Sequence, residues 1–526
     1  MNKRFQNQMN TTKIIKLLFS TLFLLSTMSN AQNLTISNTG LTSSPGTWSL
    51  SSNTLTVTGA ANIRASVIVN ALTNGNLTVV GNTSTFSVTV SEAITATGNN
   101  TLTVGSATNT GTITFNAVTS FAGPVNLYGG SINMDQNMTC TSSGSPILLQ
   151  STGAIDIAAS RTVQSNSGNI MLRSNSGGTV LSNASSIILN SSSSLLSQGG
   201  NITLGGNFTG AQGTGLYATS GNAPAILISG GTISAAGGNI KLYGKCNVIY
   251  DDGIRLTGTI NTTETGTIEL YGEAYGGLTG SDTYFGGVTF GTANTTLSTE
   301  NGNLTIEGIL TNTNSSKASG LNFYRVAGGD GSLSIQLLSK TGNIQVSGRK
   351  APSAASYGIG QCSQGDVYIG SPKDDSWTAT GNIVMSLSSF DLALSTGIIF
   401  ETTGALNVEP YDASFYIPLT FPFTNNSSIS NVSAFTMGKA SNTANITIGT
   451  PGISVAGPIT LYGGTLSLGA NITSTAGGEI ALYSDAALAG LSSASARSMT
   501  TTAIDRFQNR KVPQFSRLQN NYDLLC

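Results

Sequence analysis

One short phrase governs what this chain can fold into. A glycine, then an asparagine or another small residue, then apolar and polar residues in alternation recur along its length. The phrase reads Gly75-Asn76-Leu77-Thr78-Val79, Gly168-Asn169-Ile170-Met171-Leu172, Gly200-Asn201-Ile202-Thr203-Leu204 and Gly238-Asn239-Ile240-Lys241-Leu242. It continues as Gly302-Asn303-Leu304-Thr305-Ile306, Gly342-Asn343-Ile344-Gln345-Val346 and Gly381-Asn382-Ile383-Val384-Met385. Variants are Gly266-Thr267-Ile268-Glu269-Leu270 and Gly478-Glu479-Ile480-Ala481-Leu482. A period of two puts the Ile, Leu and Val side chains on one face of a strand and the polar ones on the other. The glycine is expected to supply a corner at positive φ, which asparagine also tolerates. Glycine and β-branched residues dominate and no long stripe of period 3.6 appears, so helices are not expected.

The phrases lie some 23 to 40 residues apart, often with a second apolar pair between them. That spacing reads as a solenoid whose turns each carry short strands and stack on the turn before. A string of β-sandwich domains would instead show a unit of roughly 90–100 residues around a Trp-centred core. No such unit recurs, and Trp48 and Trp377 stand alone. The expected fold is therefore all-β, a parallel β-helix with irregular loops. At roughly 20 residues per turn and about 4.8 Å per rung it would form a rod on the order of 100 Å long.

Composition fits that reading. Charged residues are 9% of the chain and the net charge is -1, against roughly 25% charged residues in ordinary soluble proteins. No electrostatic footprint for nucleic acid or an anionic membrane exists. Ser, Thr and Asn must carry solubility, and at coil corners they can form ladders with their counterparts above and below.

A longer period overlies the short one. Ala122-Gly-Pro-Val-Asn-Leu-Tyr-Gly-Gly130 returns as Ala456-Gly-Pro-Ile-Thr-Leu-Tyr-Gly-Gly464. Gly105-Ser-Ala-Thr-Asn109-Thr110 returns as Gly438-Lys-Ala-Ser-Asn442-Thr443, an offset of 333 residues. The expected organisation is a first β-helix module over 32–408, a Pro/aromatic seam over 409–434, the start of a similar second module over 435–490, and an atypical tail over 491–526. In the tail glycine disappears, while Arg497, Arg506, Arg510, Lys511 and Arg517 accumulate. It reads either as a disordered or capping tail or as a truncated frame with C-terminal modules missing.

Residues 1–31 read as a signal peptide: Lys3, Arg4, Lys13 and Lys16, then the apolar core Leu17–Leu25, then Ser29-Asn30-Ala31 as a small-residue cleavage site. The core is shorter than the roughly 20 residues of a membrane span, so no transmembrane helix is expected after its removal. Cys140, Cys246, Cys362 and Cys526 are too few and too dispersed for a disulfide framework and read as isolated buried residues.

The phrases GNITL, AGPITLYGG, LGANITS and GGEIALYS resemble those of very large bacterial surface proteins built from β-strand repeats. These are adhesin-like proteins of the filamentous-haemagglutinin and autotransporter-passenger type, especially from Gram-negative Bacteroidota. The resemblance covers most of residues 33–490 and rests on structural motifs. It implies a right-handed helix, export to the outside or the outer-membrane-associated surface of a Gram-negative cell, and a role in cell adhesion or matrix. A two-partner-secretion signature, C-terminal barrel strands and a sorting domain are not recognisable in the sequence.

Catalytic chemistry is sparse. Without histidine, Ser-His-Asp and Cys-His catalysis and the usual zinc sites are excluded. Gly244-Lys245-Cys246 lacks the spacing and hydroxyl of a phosphate loop, and Gly328-Gly329-Asp330-Gly331 is an isolated fragment of a calcium-repeat pattern. No cofactor or metal is expected. The weak enzyme alternative is Asp251, Asp252 and Arg255, a carboxylate pair of the kind that serves as acid and base in polysaccharide cleavage, which vaguely resembles the polygalacturonase pattern without its histidine motif. Asp374-Asp375 is a second pair. The expectation is a non-enzymatic structural or adhesive protein that binds surfaces or glycans. The alternative is a polysaccharide lyase or hydrolase, for which Asp251, Asp252 and Arg255 would converge with Glu269 or Asp282. Tyr275, Tyr284, Phe285 and Trp377 are candidate sugar-stacking faces. A third reading is ice or surface binding by a Thr array such as Thr54, Thr56 and Thr58.

Overall fold

A computed structural model describes residues 76–485 except 82, 92, 98–100, 176–184, 206–217, 221–222, 248–250, 276–284, 312–317, 324–333, 351–356, 361–364, 391–396 and 425. It also describes the backbone of short strands between residues 34 and 70 and between 499 and 518. The leader over 1–31, Cys362, Cys526, Tyr284, Asp282 and Gly328–Gly331 lie outside the described residues.

The alternating phrases are strands, and each pairs in parallel with the same phrase one coil on. Three strands make a coil. Val125–Gly129 belongs to face 1, Ser131–Met134 to face 2 and Met138–Ser143 to face 3. The next coil repeats them as Ile147–Ser151, Ile155–Ile157 and Thr162–Asn166. The result is an all-β, right-handed parallel β-helix. Antiparallel pairs occur in short strands near the two ends, such as Thr47–Ser51 with Thr54–Thr58 and Asp505–Asn509 with Phe515–Leu518. Strands Ile226–Ser234 and Ile254–Thr262 run through both faces 2 and 3, bending where the register shifts near Gly230 and Gly258. Past Pro410 the face 3 ladder runs on only to Ser428–Ser430 and separate three-stranded sheets follow, whereas face 1 runs on through Ala434–Met437 to Ile459–Gly463.

The apolar positions point inward and stack on their own kind. Ile170, Ile202, Ile240, Ile268, Leu304 and Ile344 form one column, each at most 1% exposed. Each such burial stabilises by about 1.5–3 kcal/mol. Cys140 and Cys246 are buried core residues that form no disulfide, and burial pushes the Cys140 thiol up to about 12.

The glycine of the phrase has a different cause from the expected one. None of Gly168, Gly200, Gly238, Gly302, Gly342 and Gly381 has a left-handed φ; before the first three that conformation falls one or two residues earlier, at Ser167 (φ 61), Gln198 (φ 53) and Gly237 (φ 108). What the phrase glycine needs is space. A Cβ on Gly200 would sit 2.1 Å from the Gly168 carbonyl oxygen, and one on Gly238 2.0 Å from that of Gly200. Gly342 meets the Gly302 oxygen at 2.1 Å in the same way, and Gly381 the Gly342 oxygen at 1.9 Å. The glycines form a column in which each carbonyl presses on the Cα of the next.

Asparagine and hydroxyl ladders flank that column. The Asn169 side-chain oxygen accepts the Asn201 N–H at 2.9 Å, Asn201 accepts from Asn239 at 2.8 Å, and Asn239 accepts from Thr267 at 2.9 Å. Asn303, Asn343 and Asn382 continue the pattern, with coil lengths of 40, 39 and 23 residues. These coils are longer than the roughly 20 residues expected, because insertions enter between the strands while the rungs stay aligned. Buried hydroxyls close the same corner: Ser165 Oγ donates to the Gly168 oxygen at 2.5 Å, and Thr299 Oγ1 to the Gly302 oxygen at 2.7 Å.

The long-period copies share their corner geometry. Gly105 and Gly438 have φ of 79° and 82°. Asn109 Nδ2 donates to the Tyr128 oxygen at 3.0 Å, and Asn442 Nδ2 to the Tyr462 oxygen at 2.7 Å. A Cβ on Gly130 would meet the Thr110 oxygen, and one on Gly464 the Thr443 oxygen. Within the repeated nonapeptide Val125 and Leu127 are fully buried, as are Ile459 and Leu461.

Two substitution pairs test these causes by urea unfolding and amide hydrogen exchange. Gly144 has φ 77 and nothing within 4 Å of an added Cβ, so Gly144→Ala should cost about 1 kcal/mol of backbone strain. Gly238→Ala must push two coils apart and should cost more than about 3 kcal/mol, a magnitude reserved for overpacking and buried network loss. Asn109→Ala and Asn442→Ala should cost similar amounts, roughly 1–3 kcal/mol each for the orphaned corner groups, and should add in the double variant because the sites share no partner.

Candidate functional site

Asp251, Asp252 and Arg255 do come together, at the corner between Ile240–Cys246 and Ile254–Thr262. Their arrangement is that of a clamp between coils. Asp252 is fully buried. Its Oδ1 accepts the Gly286 N–H at 2.7 Å and the Thr289 hydroxyl, both from the following coil, and its Oδ2 lies 2.5 Å from Arg255 Nε. Asp251 Oδ1 accepts the Asp252 N–H at 3.1 Å and lies 3.4 Å from Arg255 Nη2. Burial raises the Asp252 carboxyl above the usual range, opposed by Arg255, Thr289 and Gly286. Burial and the neighbouring Asp252 charge push Asp251 up to about 6. Glu269, the expected third carboxylate, lies on face 1 instead, 3.1 Å from Lys241 Nζ and accepting the Tyr243 hydroxyl at 2.9 Å.

The other nominated residues disperse. Asp374 and Asp375 are exposed on the loop after Val367–Gly370, and the hydrogen bonds from Ser376 hold Asp374 below the usual carboxylate range. Trp377 on that loop is half-buried. Tyr275 is 47% exposed, but Phe285 is fully buried against Ala274, Leu310 and Ala318, so it offers no sugar-stacking face. Lys245 lies in a strand, 2.7 Å from Glu273. Thr56 is in register with Thr78, and Thr78 with Thr103, but the column then reaches Asn126 and Leu148, so the threonine array is short. Among the described residues no group of three or more Cys, Asp and Glu is placed to hold a metal ion.

The structure assembles a cluster that the sequence pattern does not announce. One outward column of face 1 runs Tyr271, Glu307, Ser347, Ser386 and Glu409. A neighbouring column holds Glu273, Ile309 and Arg349. After Pro410 the chain turns back along this surface, with the Tyr411 N–H on the Leu387 oxygen and the Tyr416 N–H on the Ser388 oxygen. Tyr411 reaches past the small, buried Ser386 and Ser347 to donate a hydrogen bond from its hydroxyl to Glu307, 104 residues earlier. Arg349 lies 5.4 Å from the Tyr411 ring centroid and 3.7 Å from Asp412, and Tyr416 donates to the other Asp412 oxygen. Burial and Glu307 push the Tyr411 hydroxyl well above its ordinary value, and burial and Asp412 push Tyr416 up to about 12. Both phenols therefore stay protonated donors at neutral pH. The Arg349 and Asp412 side chains remain 43% and 34% exposed.

Comparison with known proteins finds no matching family model, curated protein or solved structure.

The Asp251 geometry sets a pH dependence. Its folded value near 6 exceeds the unfolded value of 3.8, so between about pH 4 and 6 the folded chain holds a proton that the unfolded chain has released. Stability should therefore fall as pH rises through that window. Urea midpoints measured across it should drop for the wild type and drop less for Asp251→Asn.

Proposed function

We propose that the protein is an exported β-helical rod with a structural and adhesive role at the surface of a Gram-negative cell, holding surfaces or glycans through many weak contacts. The carrying observation is where the polar side chains go. The Asn column and Asp252 bind the next coil, and buried hydroxyls such as those of Thr262 and Ser339 bind the coil before, which makes length and stiffness the product of the sequence's polar chemistry. Quasi-one-dimensional stacking of this kind yields long lateral surfaces. The apolar leader and the low charge support export and a neutral surface.

The second reading, a carbohydrate-active β-helix enzyme, is favoured by one observation: Glu307 and Asp412 flank Tyr411 and Arg349 on an outer face. Paired carboxylates are the usual acid and base of glycoside cleavage.

Incubating the full chain with neutral polysaccharides, pectin and alginate separates the two. The adhesive reading expects retention of protein on polysaccharide-coated or cell surfaces with no release of reducing ends or unsaturated uronates. Sustained product release that is lost in Glu307→Gln would overturn it.

A further inference from the structure

We infer that the back-turned segment Tyr411–Tyr416 and the face 1 surface beneath it form a binding site for neutral glycans, with Glu307, Arg349 and Asp412 as its polar contacts. The inference rests on the adhesive reading and assigns it a place on the molecule.

Three features of the cluster point to a sugar. The first is donor and acceptor supply. A carboxylate offers about four acceptor positions and a guanidinium five N–H donors. Glu307 has the Tyr411 hydroxyl on Oε1, and Asp412 has Tyr416 on Oδ2 and Arg349 3.7 Å from Oδ1. Capacity remains for vicinal hydroxyls, each of which both donates and accepts. The second is preorganisation. Tyr411 and Tyr416 orient the two carboxylates before any ligand arrives, and the fixed rungs of face 1 hold Glu307 and Arg349. Binding then orders little, which favours affinity. The third is access, since Arg349 and Asp412 keep more than a third of their side-chain surface in solvent.

Charge selects the class of sugar. Asp412 faces the one guanidinium, Glu307 binds the Tyr411 hydroxyl beside it, and Glu409 lies further along the Glu307 column, its carboxylate accepting from Ser386. Lys439 is turned to the Pro410 carbonyl at 3.0 Å. The site is net acidic, so uronate and sulfated chains are repelled and uncharged pyranosides accepted.

The test is affinity electrophoresis of the full-length wild type in gels containing xylan, dextran or a mixed-linkage glucan, beside gels containing polygalacturonate or alginate. At least one neutral polymer should retard the wild type and the anionic ones should not. Arg349→Gln and Asp412→Asn, whose partners are exposed enough for the fold to survive, should weaken the retardation at least about tenfold, the loss expected for a hydrogen bond to a charged group. Asp374→Asn, on a distant exposed loop, should leave it unchanged. Thermal melting of all variants is followed in parallel. Variants that bind like the wild type overturn the site, and if they also melt earlier the cluster only pins the segment. Retardation by the anionic polymers alone overturns the ligand class. Protein-coated beads that adhere to cells while no polysaccharide retards the chain overturn this inference and leave the adhesive reading standing.

Discussion

The rest of the molecule depends on the contact between a backbone carbonyl of one coil and a glycine Cα of the next. Parallel rungs lie about 4.8 Å apart, and at the corner before face 1 the chain comes closer than any side chain allows. A Cβ on Gly302 would lie 1.9 Å from the Gly266 oxygen, and one on Gly342 2.1 Å from the Gly302 oxygen. The column sets register for everything downstream. With the corner fixed, Asn303 meets the Asn343 N–H, and Leu304 must stack on Ile344. A slip of one residue would turn that apolar column outward. Insertions are therefore confined to the stretches between rungs, which is why coils of 23 and 40 residues share one ladder.

This geometry also accounts for the scarcity of charge. A column repeats one side-chain position at each rung, and like charges at that spacing repel. Asn, Ser and Thr avoid the problem because each carries both donor and acceptor capacity, or pairs with backbone, on every rung. Lys241 with Glu269 and Lys245 with Glu273 show charges of opposite sign stacked on adjacent rungs. Asp252 shows the other permitted form, a buried carboxylate surrounded by donors from its own coil and the next.

The fold was legible because its cause is local and repeated. The alternation in Gly200–Leu204 specifies a strand, and its recurrence specifies stacking. The reason for the glycine was not legible: φ at Gly200 is ordinary, and only the neighbouring coil reveals the close approach. The Asp251-Asp252-Arg255 group was visible as a sequence cluster, but its task was hidden, since Gly286 and Thr289 approach only after the chain has completed a coil.

Glu307 and Tyr411 illustrate the limit more sharply. Nothing in the 104 residues between them marks the pair. The signal lies in a column: Ser347 and Ser386 are small where Tyr271 and Glu307 before them are large, and the vacated width admits a side chain arriving from elsewhere. In a solenoid, a departure from the repeat marks a place where the lateral surface has been altered for something other than stacking. The ladder fixes the scaffold with its regular positions, so chemistry beyond the scaffold has to be sought where regularity fails. On face 1 the Pro/aromatic stretch after Pro410 is such a departure, and it turns back so that its Asp412 meets Arg349.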